Sequence, residues 1–369
     1  MRRSGSFSAN TLSFLLEAGC LCALISLLLA FPKESAAGVT QGLRLCFRSL
    51  IGSLLPFLVL SRLFLLRGLH RRLPPQAAVL TQKLLGLPRC CAGVFLFSMV
   101  GGYPVGAAMA SQLFTAGELS KKQGQRLLQF CVGPGPAFVV SAVGVGLYGS
   151  AKAGAVLYGA VVGGALLSGL LTRLCFRGAK EDAPAQQPPA PPPLSVCVGD
   201  AVQGGMQAML SICAFVALFS ALLGVLEALP LPAAVRGGAA AILEVTNACG
   251  AYANKAPLPA VAAIIAWGGV CIHCQLLPHC AALGLRYWRF ALGRALHAAL
   301  SFLCCRGILC LVRLPSPALA PNEVFRPASN GSAALSFCMT MMCVLLLFGS
   351  RWSLRVQKGA CFLRADMLQ

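Results

Sequence analysis

The chain has 369 residues, of which 57% are hydrophobic and only 11% are charged, and its formal net charge is +20. An average soluble domain has roughly 25% charged residues. Apolar runs of about twenty residues recur along this chain, so the composition excludes a soluble globular protein and predicts an all-α polytopic membrane protein. The basic residues stand in short clusters between these runs rather than in a continuous stripe with interleaved aromatics. This pattern indicates a lipid bilayer as the partner and excludes nucleic acid.

The apolar runs predict about eight transmembrane helices in the plasma membrane, with both termini in the cytoplasm because the basic clusters belong there. The first run follows Arg2 and Arg3 and lacks a small-residue cleavage site, so it is a span rather than a signal peptide. The predicted spans are residues 12–31, 47–66, 127–149, 153–172, 207–229, 258–283, 291–312 and 335–349.

The segment "FLFSMVGGYPVGAAMASQLF", residues 95–114, is apolar but is interrupted by Gly101, Gly102, Pro104 and Gly106. The basic loops on either side both belong in the cytoplasm, and a segment that crossed the membrane would place one of them outside. A re-entrant broken-helix hairpin that enters and leaves on the cytoplasmic side resolves this conflict. A second broken segment, "GGAAAILEVTNACGAYANKAP", predicts a second hairpin.

The two halves of the chain resemble each other weakly. The sequence from Thr40 aligns with that from Gly199, and each is followed by a broken segment and then by a span with an aromatic residue and a glycine pair. The span before the hairpin runs inward in one half and outward in the other, which predicts an inverted-topology repeat. Such repeats are typical of transporters with a site near the bilayer midplane. Tight packing of small residues is the alternative explanation of the breaks.

These patterns divide the chain into five regions. The predicted divisions are 1–39, the N-terminal span; 40–178, the first repeat; 179–195, a Pro-rich cytoplasmic linker; 196–313, the second repeat; and 314–369, an outer loop, the last span and a basic cytoplasmic tail.

Motifs in both halves resemble a known family. The first half carries "GGYPVGA" and "GELSKKQGQRLLQFCVGPGPAF", and the second carries "LEVTNACG" and "WGGVCIHCQ". Together they resemble the nucleoside-recognition Gate domain family, and most closely its YlbJ-type sporulation integral membrane proteins, from about the second span to residue 312. The resemblance implies paired gate hairpins, as in concentrative nucleoside transporters and the membrane part of FeoB iron transporters, and a role in forming the spore cortex. FeoB's GTPase is not implied, since no GxxxxGK[ST] motif occurs.

Glu244 is the strongest single candidate for a binding residue. An acidic side chain within a membrane segment costs free energy and usually faces a cavity or a partner. It could accept hydrogen bonds from solute hydroxyls or bind a coupling cation, or it could form an ion pair with Arg236. Gln275 offers a donor and an acceptor to a solute, and His273 could relay a proton or be satisfied by a backbone carbonyl. Tyr103 could stack on a base or serve as packing.

The predicted substrate-binding residues lie in the hairpins and in the spans that follow them. They are Gly102, Tyr103, Pro104, Gly106, Gly135, Glu244, Thr246, Asn247, Trp267, His273 and Gln275. Trp267, like Tyr103, could stack or pack. The run "CIHCQLLPHC" matches no closed zinc spacing, and no catalytic triad or carboxylate pair occurs within the spans, so no enzyme activity, cofactor or metal is predicted.

Two functions are weighed, and a third class, a metal-permeating channel, would require metal that is retained through chelation. The first is alternating-access transport of a small polar, nucleoside-like solute, with or without a coupling cation. The second is a non-transporting membrane scaffold for cortex morphogenesis. A homo-oligomer is compatible with either function.

In the loop after the first hairpin, Ser120 is the expected N-cap of a helix, with Glu118 near that helix's positive end.

Overall fold

A computed structural model describes residues 9–312 apart from 74–75, 77–78, 176–191 and 254. These residues form helices joined by short turns, and no strand occurs among them, so the predicted all-α fold is confirmed. Most of the predicted linker, the predicted span 335–349 and the basic tail lie outside the described residues.

The helices of the first half are separated by breaks at glycine and proline. They are α1 (Ala9–Ala30), α2 (Pro32–Leu45), α3 (Ile51–Leu66), α4 (Cys91–Gly101), α5 (Tyr103–Thr115), α6 (Lys121–Phe130) and α7 (Ala151–Cys175). Wide π-type helical turns at Cys46–Leu50 and Ala137–Val145 join α2 to α3 and follow α6.

The second half repeats this order of elements. It consists of α8 (Leu194–Ala228), α9 (Ala233–Leu243), α10 (Val245–Tyr252), α11 (Leu258–Trp267), α12 (Gly269–Ala282) and α13 (Tyr287–Leu311). Each half therefore has a long helical region (α2–α3 or α8), then two short helices (α4 and α5, or α9 and α10). A broken helical segment follows (α6 with the turn at Ala137–Val145, or α11 and α12), and a long helix ends the half (α7 or α13).

By length and apolarity, the described residues contain fewer helices that could cross a membrane than the seven spans that the sequence predicts for them. Within the described residues, four segments are long and apolar enough to cross a membrane: Ala151–Leu174, Leu194–Ala228, Leu258–Ala282 and Tyr287–Leu311. A fifth arises if the N-terminal pair is one span, but that pair is bent by 96° where Pro32 begins α2. The predicted count of eight is therefore not confirmed, because several predicted spans are bent or broken into shorter helices.

Both predicted hairpins turn back at their breaks. Gly102 has a φ of +87°, a conformation that glycine adopts at little steric cost, and α5 then returns along α4. An ideal Cβ on Gly106 would lie 2.5 Å from the Cβ of Ser98, eight residues earlier. In the second hairpin, a Cβ on Gly237 would lie 3.2 Å from the hydroxyl of Tyr252. The first contact joins residues on either side of Gly102, and the second joins residues on either side of Glu244. Each chain segment therefore folds back on itself at its break.

The two basic loops that flank the first hairpin meet at one end of the molecule. Glu118, after α5, accepts from His70 at 2.8 Å and from Arg71 at 2.7 Å, and both of these residues follow α3. Burial alone would raise the pKa of Glu118, but these hydrogen bonds outweigh it and lower the pKa from 4.5 to about 2. The chain therefore enters and leaves the hairpin at the same end, as the sequence predicts.

The described ends of the other loops that were predicted to be cytoplasmic lie at this same end. Side chains in or beside these loops donate to backbone carbonyls of another loop region in four further places. They are Arg67 to Pro192 at 2.7 Å, Arg126 to Leu85 at 2.6 Å, Arg173 to Leu84 at 2.9 Å and Gln125 to Leu283 at 2.9 Å. One end of the bundle thus gathers the basic loops of both halves.

The helical region α2–α3 and the long helix α8 pack antiparallel against each other. Gly38 lies against the carbonyl of Ser220, and a Cβ on Gly205 would lie 2.6 Å from the side chain of Val59. Small residues let the backbones approach closely. The two halves of the chain therefore share a close-packed interface.

The short helix α6 begins with the predicted cap. The Ser120 hydroxyl accepts from the Gln123 amide at 3.3 Å, and the Gln123 side chain accepts from the Ser120 amide at 2.9 Å. This reciprocal pair is a capping box, which satisfies two amides that the first turn leaves unpaired. The N-cap prediction is confirmed.

Candidate functional site

A cavity lies where the tips of the two hairpins approach α3 and α8. Its volume is about 60 Å³, and since one water needs about 10–15 Å³ on this measure, it has room for roughly four waters. The walls come from both halves of the chain. They are formed by Leu50, Ser53, Leu54, Val100, Gly102, Tyr103, Pro104, Pro134, Gly135, Ala137, Phe138, Ile212, Val216, Glu244, Val245, Thr246, Cys271, Ile272 and Gln275.

Most of the sequence-predicted site residues lie in this lining. Those that it contains are Gly102, Tyr103, Pro104, Gly135, Glu244, Thr246 and Gln275. The structure does not bring Gly106, Asn247, Trp267 or His273 to the cavity wall. The residues of the first group therefore remain candidates for solute contact, and those of the second have other contacts.

Glu244 sits at the break of the second hairpin and is the N-cap of α10. Its carboxylate accepts from the backbone amides of Thr246 at 3.0 Å and Asn247 at 2.8 Å, and only 3% of the residue is exposed. Arg236 donates instead to the carbonyl of Glu227 at 3.2 Å, and no described basic side chain forms a salt bridge with Glu244. The carboxylate is thus held at the positive end of a helix with no cationic side chain to neutralise it.

Each hairpin tip touches a glycine in the broken span that follows it. An ideal Cβ on Gly135 would lie 2.6 Å from the carbonyl oxygen of Val100, in the first tip. A Cβ on Gly269 would lie 2.8 Å from the carbonyl oxygen of Leu243, in the second tip. Any other residue at either position would push the tip away, so the same close approach occurs once in each half.

The break between α11 and α12 leaves carbonyl groups without helical partners, and side chains from three different elements take them. Tyr103 donates to Ile265 at 2.7 Å, and Arg294 donates to Ala266. His273 contacts the carbonyl of Trp267 through Nε2 at 3.2 Å. Because a carbonyl only accepts, this nitrogen carries the proton, and Nδ1 accepts from Tyr287 at 3.3 Å. His273 therefore donates to a backbone carbonyl, which is one of the two alternatives that the sequence leaves open for it.

Arg294 is a functional candidate that sequence reasoning missed, because "RYWRFALGR" was read as a basic cytoplasmic loop. It is 0% exposed in α13 and donates to Val132, at the break after α6, as well as to Ala266, at the break after α11. It also donates to Nδ1 of His297 at 3.0 Å, and His297 donates in turn to Val161 at 2.9 Å. One guanidinium thus joins the broken spans of the two halves.

Side chains from other elements also donate to backbone carbonyls near the end of the first helix of each hairpin. Tyr158 of α7 donates to Met99 at 2.7 Å, and Trp267 donates to Ile242 at 3.3 Å. Non-helical backbone at membrane depth persists only where protein or water satisfies it. Here the described carbonyls face protein side chains, while the helix starts at Gly102 and Glu244 face the cavity.

The described residues contain no group of three or more His, Cys, Asp or Glu side chains that could hold a metal ion. Cys271 lines the cavity, and its sulfur lies 3.5 Å from the Gln275 amide nitrogen. His279 lies 2.9 Å from the hydroxyl of Ser111.

The chain is 26% identical over 231 residues to the sporulation integral membrane protein YlbJ of Bacillus subtilis (strain 168). The two chains are distant homologues. The alignment covers 57% of this chain and 56% of YlbJ, so the chain spans about half the length of this curated relative. No family model matches the chain, and the resemblance to the Gate domain family therefore stays a prediction. No solved structure matches it.

Proposed function

We propose that this chain is a sporulation-associated plasma-membrane protein with an inverted Gate-type repeat. In this proposal it moves a small polar solute by alternating access during cortex formation. The observation that carries the proposal is the convergence of both hairpin tips, each packed against a glycine of the following span, on one cavity with a buried carboxylate. Paired broken helices that meet between two repeats are typical of secondary transporters.

The direction of insertion follows from charge. The end of the bundle that gathers the basic loops, with Arg71 and Arg126 among their residues, faces the cytoplasm by the positive-inside rule. The first hairpin then enters from the cytoplasmic side and the second from the outer side. Rocking of one repeat against the other along the interface of α2–α3 with α8 would expose the cavity to each side in turn.

The nucleoside-like solute is proposed from the family resemblance. The cavity has room for roughly four waters, which is less than a nucleoside occupies. The conformation described here is therefore proposed to be an occluded one, in which the tips that carry Gly102 and Glu244 must part before a whole solute enters. Polar groups for recognition would come from Glu244, Thr246 and Gln275, which line the cavity.

A non-transporting scaffold for cortex morphogenesis is the second candidate, and one observation favours it. The carbonyls freed at the breaks are taken by side chains from distant elements, as Tyr103 and Arg294 do at the end of α11. Such cross-links stabilise a single closed arrangement, which a scaffold needs and a transporter must open.

The test is solute uptake in proteoliposomes with a panel of nucleosides and amino sugars. The transporter proposal expects saturable uptake that Glu244→Gln abolishes and that Glu227→Gln leaves unchanged, since Glu227 is exposed and outside the cavity. No uptake or binding across the panel by folded protein would contradict it. Rescue of sporulation by a folded Glu244→Ala/Asn247→Ala protein would instead favour the scaffold.

A further inference from the structure

The cavity is lined by two side chains that can accept more hydrogen bonds than the described residues donate to them. They are Glu244 and Gln275. The Glu244 carboxylate is 3% exposed and accepts hydrogen bonds from two backbone amides and from the side chain of Thr246. Gln275 is 7% exposed, and its Oε1 is buried with no hydrogen-bond partner among the described residues. A buried polar atom without a partner is costly in a native protein and needs an explanation. A ligand that donates to it supplies one.

The charge of the lining is one-sided. Glu244 is the acidic residue among the described residues that line the cavity, and these include no Lys, Arg or His. An anionic solute would approach this carboxylate with no basic side chain to compensate it. A cationic solute would neutralise a buried charge that otherwise has two backbone amides and the side chain of Thr246 for support, but no cationic side chain.

The geometry of donors and acceptors narrows the class further. An ionised carboxylate offers about four acceptor positions, of which the two amides and the Thr246 side chain fill three. The amide oxygen of Gln275 offers another two. A primary ammonium group carries one positive charge and three donors and has no acceptor, so it complements this set. A hydroxyl group brings one donor and no charge. Space for roughly four waters suits such a small group.

We infer that the cavity binds the primary ammonium group of an amine-bearing solute between Glu244 and the Oε1 of Gln275. This inference rests on the proposed function and names the solute class of the same site.

Three probes of matched size separate the alternatives: ethanolamine, ethylene glycol and glycolate, which are cationic, neutral and anionic. Binding of radiolabelled ethanolamine to the purified full chain in lipid nanodiscs is measured with the other two as competitors. Because a hydrogen bond to a charged group is the stronger kind, ethanolamine should bind about tenfold more tightly than ethylene glycol or better. Glycolate should not compete.

Variants assign the binding to the two acceptors. Glu244→Gln should weaken ethanolamine binding about tenfold or more, and Gln275→Leu should weaken it several-fold. The matched control Glu227→Gln should bind like the wild type. Gln at position 244 keeps one oxygen for capping α10, and if this variant still fails to fold, Gln275→Leu carries the test.

Equal binding of the three probes, tighter binding of glycolate, or unchanged binding by both site variants would overturn the ammonium assignment. Displacement of ethanolamine by sodium or potassium at equal concentration would overturn it in favour of an inorganic cation. No ethanolamine binding, while nucleosides but not amino sugars are still transported, would refute this inference alone. Loss of both would refute the proposed function as well.

Discussion

Replacement of Arg294 by methionine removes the guanidinium that joins the two broken spans. The variant leaves the carbonyls of Val132 and Ala266 buried without their donor and removes the bond to His297. A buried group that loses its partner costs about 1–3 kcal/mol, so the two carbonyls alone predict a destabilisation of about 2–6 kcal/mol. Relief of the buried charge offsets part of this cost. We therefore expect the melting temperature to fall by several degrees.

The assay is thermal unfolding of the purified protein in nanodiscs, with two comparison variants. Arg294→Lys keeps the charge but presents a compact ammonium in place of a planar fork, so it should bridge the two carbonyls less well and be intermediate in stability. Arg306→Met makes the methionine change at an exposed position of the same helix and should stay within about 0.5 kcal/mol of the wild type. If Arg294→Met melts like Arg306→Met, Arg294 does not hold the breaks together.

Two further predictions concern the hairpin tips and the basic end. Gly135→Ala and Gly269→Ala place a methyl group 2.6 and 2.8 Å from a tip carbonyl, so each should cost about 1–3 kcal/mol in thermal stability. Gly19→Ala, with no atom within 4 Å, should cost nothing measurable. The folded-state pKa of Glu118 is lowered from 4.5 to about 2, so its pairing with Arg71 stabilises fully above pH 4.5 and is lost as the pH falls towards 2. Melting temperatures should fall over that interval, and Glu118→Gln should flatten the dependence.

A specific result would contradict each of these two predictions. Wild-type stability of both glycine variants would mean that the tips of the hairpins do not touch the breaks. An unchanged pH dependence in Glu118→Gln would mean that the basic loops are not joined through this carboxylate.

The sequence located the hairpins because their turns need residues that stand out locally. Gly102 and Pro104 interrupt an apolar run, and the charge of the flanking loops requires the chain to return to its starting end. Glu244 was identified because a carboxylate is rare within apolar segments. Its role as the N-cap of α10 was not foreseen, since capping depends on where the second hairpin breaks.

Arg294 and the breaks that it joins could not be inferred from local pattern. The last arginine of the basic run "RYWRFALGR" has the same appearance in the sequence whether it faces water or donates to carbonyls. The decisive partners, Val132 and Ala266, lie 162 and 28 residues away in the chain. The predicted count of spans is not confirmed in the described residues for a related reason. Hydropathy gives the length of an apolar run, whereas Pro32 and the glycine breaks divide such runs into shorter helices.

The most direct test of the paired-hairpin arrangement is the sidedness of three single cysteines in a cysteine-depleted background. Arg72→Cys and Lys122→Cys flank the first hairpin at exposed positions, and Lys152→Cys is exposed at the start of α7, after the following broken span. A membrane-impermeant maleimide applied to sealed, oriented vesicles should label positions 72 and 122 from one side and position 152 from the other. Labelling of positions 72 and 122 from opposite sides would show that the segment around Gly102 crosses the membrane, and the shared cavity between two re-entrant hairpins would then not exist.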